Sequence, residues 1–156
     1  MIAATSIETK FPAPLVGAVV FACMRLYAHA AGITGDDSDT RTLVAIVIAD
    51  LSGLVALAAF ASFWRHRTTI DPFHPDRAST LVTHGVFRLS RNPMYLSMLL
   101  LLVAYAVRMG VVVEWLGPVA YCAWVTRYQI VPEERALSQR FGERFREYQR
   151  RTRRWL

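Results

Sequence analysis

Lysine is almost missing from this chain: Lys10 stands alone, and the other 17 of the 18 basic residues are arginine. Cysteine is nearly as scarce. Cys23 and Cys122 each sit inside an apolar run, so neither a disulfide framework nor a cysteine metal site is suggested, and both read as packing residues. The histidines, His29, His66, His74 and His84, form no HExxH or comparable ligand spacing, so a metal enzyme finds no support. No GxGxxG is present; its absence removes the usual dinucleotide fingerprint without excluding membrane reductases that use another pocket. A signal-peptide pattern is missing as well. The first apolar run begins only after Lys10 and lacks a small-residue cleavage site in a polar flank, so it is expected to stay in the mature protein. Charge itself is thin, 19% of 156 residues against 54% hydrophobic, which is too apolar for most soluble domains of this size.

What is present points to lipid. The formal charge is +6, and the arginines cluster beside apolar spans, where anionic headgroups are nearer partners than nucleic acid; no nucleic-acid role is expected. Pro12 to Ala31 and Leu43 to Trp64 are each near the roughly 20 residues needed to cross a bilayer. Pro93 to Val107 and Val111 to Tyr128 are shorter, and Arg108, Met109 and Gly110 between them read as a tight turn. At about 1.5 Å per residue, the first of these reaches roughly 22 Å, short of a hydrocarbon core of about 30 Å. The pair reads as a thin or tilted helical hairpin.

Arg65, Arg67, Arg77, Arg88 and Arg91 fall in the link after the second span, and eight more arginines come after Val131. The link after the first span holds Asp36, Asp37, Asp39 and one arginine, Arg41. The positive-inside bias therefore places both termini and the Arg65 to Asn92 link in the cytoplasm. Arg25 and Asp50 stand inside the first two spans, where a charge at mid-membrane costs roughly 2.5 to 3.5 kcal/mol. Their similar depths predict an ion pair between antiparallel helices, acting as a clasp or, in a transporter, as a polar pathway.

The link carries Pro72, Pro75 and Gly85, which break helix, and the polar Asp71, His74 and Asp76, so it reads as an ordered loop. At its end Asn92 is a natural cap and Pro93 suits the first helical position. Free amides there, with Arg88, Arg91 and Tyr95 nearby, offer a dock for a carboxylate or other anion. Pro132, with Glu133 and Glu134 directly after it, reads as the first turn of a new helix. Leu137, Phe141, Phe145 and Tyr148 give that helix one apolar face, which predicts a helix lying on the membrane surface or capping the hairpin. Gly142 is a weak point in its middle. The terminal RRTRRWL reads as an interfacial anchor with Trp155 at the headgroup level.

Two stretches, LVTHGVFRLSRNPMYL (81–96) and EERALSQRFGERFREYQRRTRRWL (133–156), resemble the signatures of the isoprenylcysteine carboxyl methyltransferase and phospholipid N-methyltransferase group. The resemblance covers about the last half of the chain. It implies S-adenosylmethionine-dependent methyl transfer, with the cofactor entering from the cytoplasm and a lipophilic small-molecule or lipid acceptor entering from the bilayer. On the matching positions His84, Gly85, Arg91, Asn92, Pro93 and Tyr95 would bind the cofactor, Glu133 and Glu134 would close the site, and Arg127 would orient an acceptor carboxylate, with Arg127 and Glu134 as the catalytic candidates. Asn92 stands where the prenylcysteine enzymes carry histidine, and Ser97 where a glycine is common. With only four segments, a prenylated protein is a poor fit as substrate, and a small acid, thiol, amine or lipid headgroup is expected.

The expected architecture is all-α: a single polytopic membrane bundle spanning residues 1–156, with two N-terminal spans (12–64) and a methyltransferase-like core and tail (81–156). A prokaryotic inner membrane is the expected location, suggested by the arginine- and alanine-rich composition. A membrane reductase of related architecture and a small transporter are the alternatives.

Overall fold

The protein is described from a computed structural model covering residues 11–35, 38–66 and 81–156. Lys10, Asp36, Asp37, Arg67, Arg77 and the Asp71 to Asp76 part of the link lie outside the described residues. Helix is the regular structure of the described residues, with no strand among them. Helix α1 (Ala13–Ala30) starts after Pro12 and carries Pro14 in its first turn, where the missing N–H groups are orphans anyway. Helix α2 (Asp39–His66) carries Asp39 in its first turn, where the helix dipole favours an acid. Both are long and apolar enough to cross a membrane. Helix α3 (Pro93–Met109) stops at Gly110, whose φ of 72° lets its N–H turn back to the Ala106 carbonyl. This is the turn expected at Arg108 to Gly110. A side chain from the start of α2, Arg41, donates to the Gly110 carbonyl at 3.2 Å.

Beyond that turn a short 3-10 segment (Val112–Trp115) leads into α4 (Leu116–Val125). Pro132 does not open a new helix, contrary to the expectation from its type. Instead α4 runs through a π-helical stretch (Thr126–Ile130) directly into α5 (Val131–Phe141), with helical backbone angles at every junction. The reason lies in the proline: it has no N–H for the carbonyl four residues back and its ring would strike that carbonyl, and a widened turn relieves both. One extra residue per turn also rotates the downstream helix by about 100°. Consecutive Gln129 and Ile130 are both fully buried, which marks the shift. The inward face thus passes from Pro118, Tyr121 and Val125 to Ile130 and Glu134.

The tail is two helices, not one. Gly142 (φ 54°, ψ −125°) separates α5 from α6 (Glu143–Arg151). The apolar face formed by Leu137, Phe141, Phe145 and Tyr148 closes over Val82, Phe87 and Phe63 in a compact second core. This is a cap, but on the loop before α3 and the end of α2 rather than on the hairpin.

Helix α3 is the centre of the bundle, packed along α2 on one flank and against α1 and α4 on another. Ser52 donates to the Ser97 carbonyl at 2.7 Å across the α2–α3 contact. Small residues bring the other helices close: a Cβ on Gly117 would stand 2.3 Å from the Met24 sulfur, and one on Gly17 would stand 2.6 Å from Met98. This arrangement overturns the expected Arg25–Asp50 pair. Helices α1 and α2 flank α3 instead of packing on each other, both side chains are exposed, and no ion pair joins them among the described residues.

Candidate functional site

The site forms where the loop before α3, the start of α5 and the end of the tail meet. A 3-10 turn (Gly85–Arg88) opened by Gly85 at φ 63° delivers Ser90, Arg91 and Asn92 to the start of α3. The tail then lies along them. The Arg91 N–H donates to the Arg153 carbonyl at 3.0 Å, while the Ser90 hydroxyl (3.3 Å) and the Asn92 side-chain amide (3.0 Å) both donate to the Arg154 carbonyl. Asn92 therefore does not cap α3, as its type suggested. Its amide is spent on the tail, and its backbone N–H is taken by the Ser90 hydroxyl.

Glu134, buried, receives two guanidinium groups. Arg91 donates to one oxygen through Nη2 (2.6 Å) and Nε (3.2 Å); Arg154 donates to the other through Nη2 (2.6 Å). Burial pushes this carboxyl up, but the hydrogen bonds and charges of Arg154 and Arg91 outweigh it and hold the group below the ordinary carboxylate range. The remaining Arg91 nitrogen donates to the Thr152 and Gln149 carbonyls. Arg91, expected as a free dock for a carboxylate, is thus a strut that ties three segments together.

Glu133, one residue earlier, is the counterpart. It accepts from the Tyr95 hydroxyl and has no cationic partner among the described residues. Burial pushes its carboxyl up to about 7; the Tyr95 hydrogen bond opposes that, and the charge of Glu134 adds to it. The Tyr121 ring packs in the same core cluster as Tyr95, and its hydroxyl is buried without a partner.

Of the sequence-derived candidates, Arg91, Asn92, Pro93, Tyr95, Glu133 and Glu134 come together. His84 lines a separate cavity of about 460 Å³ with Arg88, Arg144 and Arg151, beside the turn that Gly85 opens. Arg127 is exposed on the π stretch, stacked near the Tyr128 ring, and lines an apolar groove of about 440 Å³ with Val119, Cys122 and Ala123. Sequence reasoning missed Arg154 and the inward contacts of Trp155, which it read only as an anchor. The Trp155 indole donates to the Thr126 hydroxyl at 3.2 Å and packs, partly buried, on the main core. A run of arginines before a tryptophan carries no signal that singles out the inward pair.

Residues 40–144, two thirds of the chain, match the phospholipid methyltransferase family. The chain belongs to that family. It is a membrane-type methyltransferase family, in keeping with the two long apolar helices. The family match spans Arg91, Tyr95, Glu133 and Glu134 and stops short of the tail segment that carries Arg154. A protein of Haemophilus influenzae, described as uncharacterized, is 40% identical over 63 residues; these are 40% of this chain and all of that protein. No solved structure matches this phospholipid methyltransferase family member.

Proposed function

We propose that the protein transfers a methyl group from S-adenosylmethionine to a small lipophilic acceptor, a carboxylate, thiol, amine or lipid headgroup, at the cytoplasmic membrane face. The observation that carries this reading is Glu133: a carboxyl pushed to about 7 by burial, bonded to Tyr95 and lacking a cation among the described residues. A sulfonium is a cation of the kind this pair lacks, so the residues present fit the cofactor. When bound, S-adenosylmethionine supplies an electrophilic methyl group. Methyl transfer is an in-line displacement, so alignment and exclusion of water supply most of the rate.

The chain's own residues divide that work. Glu133 faces positive charge, with Tyr95 holding its carboxylate in one orientation. The Arg91–Glu134–Arg154 clasp keeps α5, the tail and the start of α3 in register, so Glu134 acts by positioning. The groove beside Arg127 suits the apolar part of an acceptor, and the Arg127 guanidinium is the candidate to orient an anionic head. His84 and its arginine-lined cavity suit the cofactor's polar parts. Four membrane segments with both termini in the cytoplasm of a prokaryotic inner membrane complete the reading; the arginines of the loop and tail support that orientation. The polar pathway on which a transporter would run is not assembled, since Arg25 and Asp50 face away from the bundle interior.

The test is calorimetric titration of purified protein between pH 6 and 8 with two ligands that differ by one charge. Affinity for S-adenosylmethionine should rise with pH as Glu133 ionises, and affinity for the neutral thioether S-adenosylhomocysteine should not. Glu133→Gln should erase the difference. Absence of binding by folded protein would sink the methyltransferase reading and bring a membrane reductase forward.

A further inference from the structure

Asp50 is the charge the bundle leaves unattended. It lies on α2, about 16 Å from the helix start at Asp39, on the side opposite the residues that pack on α3, Ala45, Ser52 and Ala59. It has no hydrogen bond or ion pair among the described residues. Arg25 differs in a telling way. It lies at a similar depth, but its side chain is long enough to extend to the headgroups. The short side chain of Asp50 has no such escape, and lipid tails offer it no hydrogen bond.

The surroundings of Asp50 say what can cover it. Leu43, Val47, Asp50, Leu54, Leu57, Ala61 and Trp64 succeed one another at spacings of four and three, the period of a left-handed helix pair. The five most exposed large apolar side chains of α2 all fall on this seam, from Val47 at 57% to Trp64 at 75%. Lipid alone would satisfy the apolar positions. The carboxyl in their middle is what lipid cannot satisfy.

We propose that this seam is the contact with a second copy of the chain. Every copy enters the membrane in the same orientation, so two α2 helices meet in parallel about an axis along the membrane normal, and identical residues face each other. That brings the two Asp50 carboxyls together at the centre of a Leu-lined contact. A hydrogen bond across the axis would give each carboxyl the partner that lipid tails cannot supply. A polar side chain at such a position both strengthens the pair and sets its register.

The test uses full-length protein in liposomes, in a Cys23→Ser/Cys122→Ser background, with single cysteines at Leu54, Leu57 or Leu51. The proposal expects oxidative cross-linking at Leu54→Cys and Leu57→Cys at least five-fold above Leu51→Cys, which sits on the flank of the same helix. Dilution into lipid, read by energy transfer between labelled copies, should show Asp50→Leu dissociating at five-fold or more higher protein-to-lipid ratio, with Asp50→Asn retaining association. Equal cross-linking at all three positions would overturn the proposal, as would unchanged dissociation in an Asp50→Leu protein whose helicity by circular dichroism is native. The cross-linking arm keeps Asp50 intact, so it decides even if Asp50→Leu fails to fold.

Discussion

The two ends of the chain treat charge in opposite ways. In the tail, Glu134 takes Arg91 and Arg154, and the Arg91 guanidinium is filled out by backbone carbonyls. In α1 and α2 the charges Arg25 and Asp50 point outward and the faces around them are open. The loop and tail build a self-contained polar centre, whereas the N-terminal helices hold α3 by small-residue packing and leave their remaining surfaces to the membrane or to another protein. Removing a charge should therefore damage the first region through folding and the second through association.

The sharpest way to break that contrast is Glu134→Ala. It leaves Arg91, almost buried, without its carboxylate, and breaking a buried pair costs about 3 kcal/mol or more. Denaturant titration in detergent should show that loss, and Arg154→Ala, whose side chain is 37% exposed, should show a smaller one. The corresponding outward change, Leu57→Ala on the 68% exposed position of α2, should stay within about 0.5 kcal/mol in the monomer.

Acidity separates the two glutamates next. Glu134 sits below the ordinary carboxylate range, so its contribution to stability is present above about pH 4.5 and is lost as pH falls through its lower folded value. Glu133, raised to about 7 from 4.5, behaves in reverse: its contribution is full below about pH 4.5 and is lost as pH rises through 7. Thermal unfolding from pH 4 to 8 should fall at both ends, and Glu133→Gln should flatten only the upper limb. An effect smaller than that of Glu134→Ala is expected at the tail hinge. Gly142→Ala forces a side chain into a positive-φ conformation and should cost about 1 to 2 kcal/mol, read as a lower melting temperature.

Much of this architecture is legible in the residues. Apolar length places α1 and α2, proline and glycine place the limits of α3, and the two signature stretches gather Arg91, Tyr95, Glu133 and Glu134 without any geometry. Three features are not legible, each for a physical reason. Helix pairing is a tertiary choice, so equal depth cannot tell that α3 separates Arg25 from Asp50. Asn92 is equally able to cap a helix or to bond a distant carbonyl, and only the returning tail decides. The π stretch has no compositional mark beyond Pro132, whose usual meaning is a helix start.

That stretch has a consequence of its own. Gln129 sits in it, fully buried, with its amide donating to the Phe11 carbonyl at 2.7 Å, so the wide turn is bolted to the entry of α1. Upstream and downstream halves of one continuous rod are thereby kept out of phase by a single residue. Loss of one codon between Thr126 and Ile130 would remove the residue that the wide turn absorbs, so a regular spiral would form and both glutamates would stay on the face they now occupy. Such a gene product would keep the polar centre facing its neighbours and be strained instead at Pro132, whose ring would meet the carbonyl that the wide turn now moves aside.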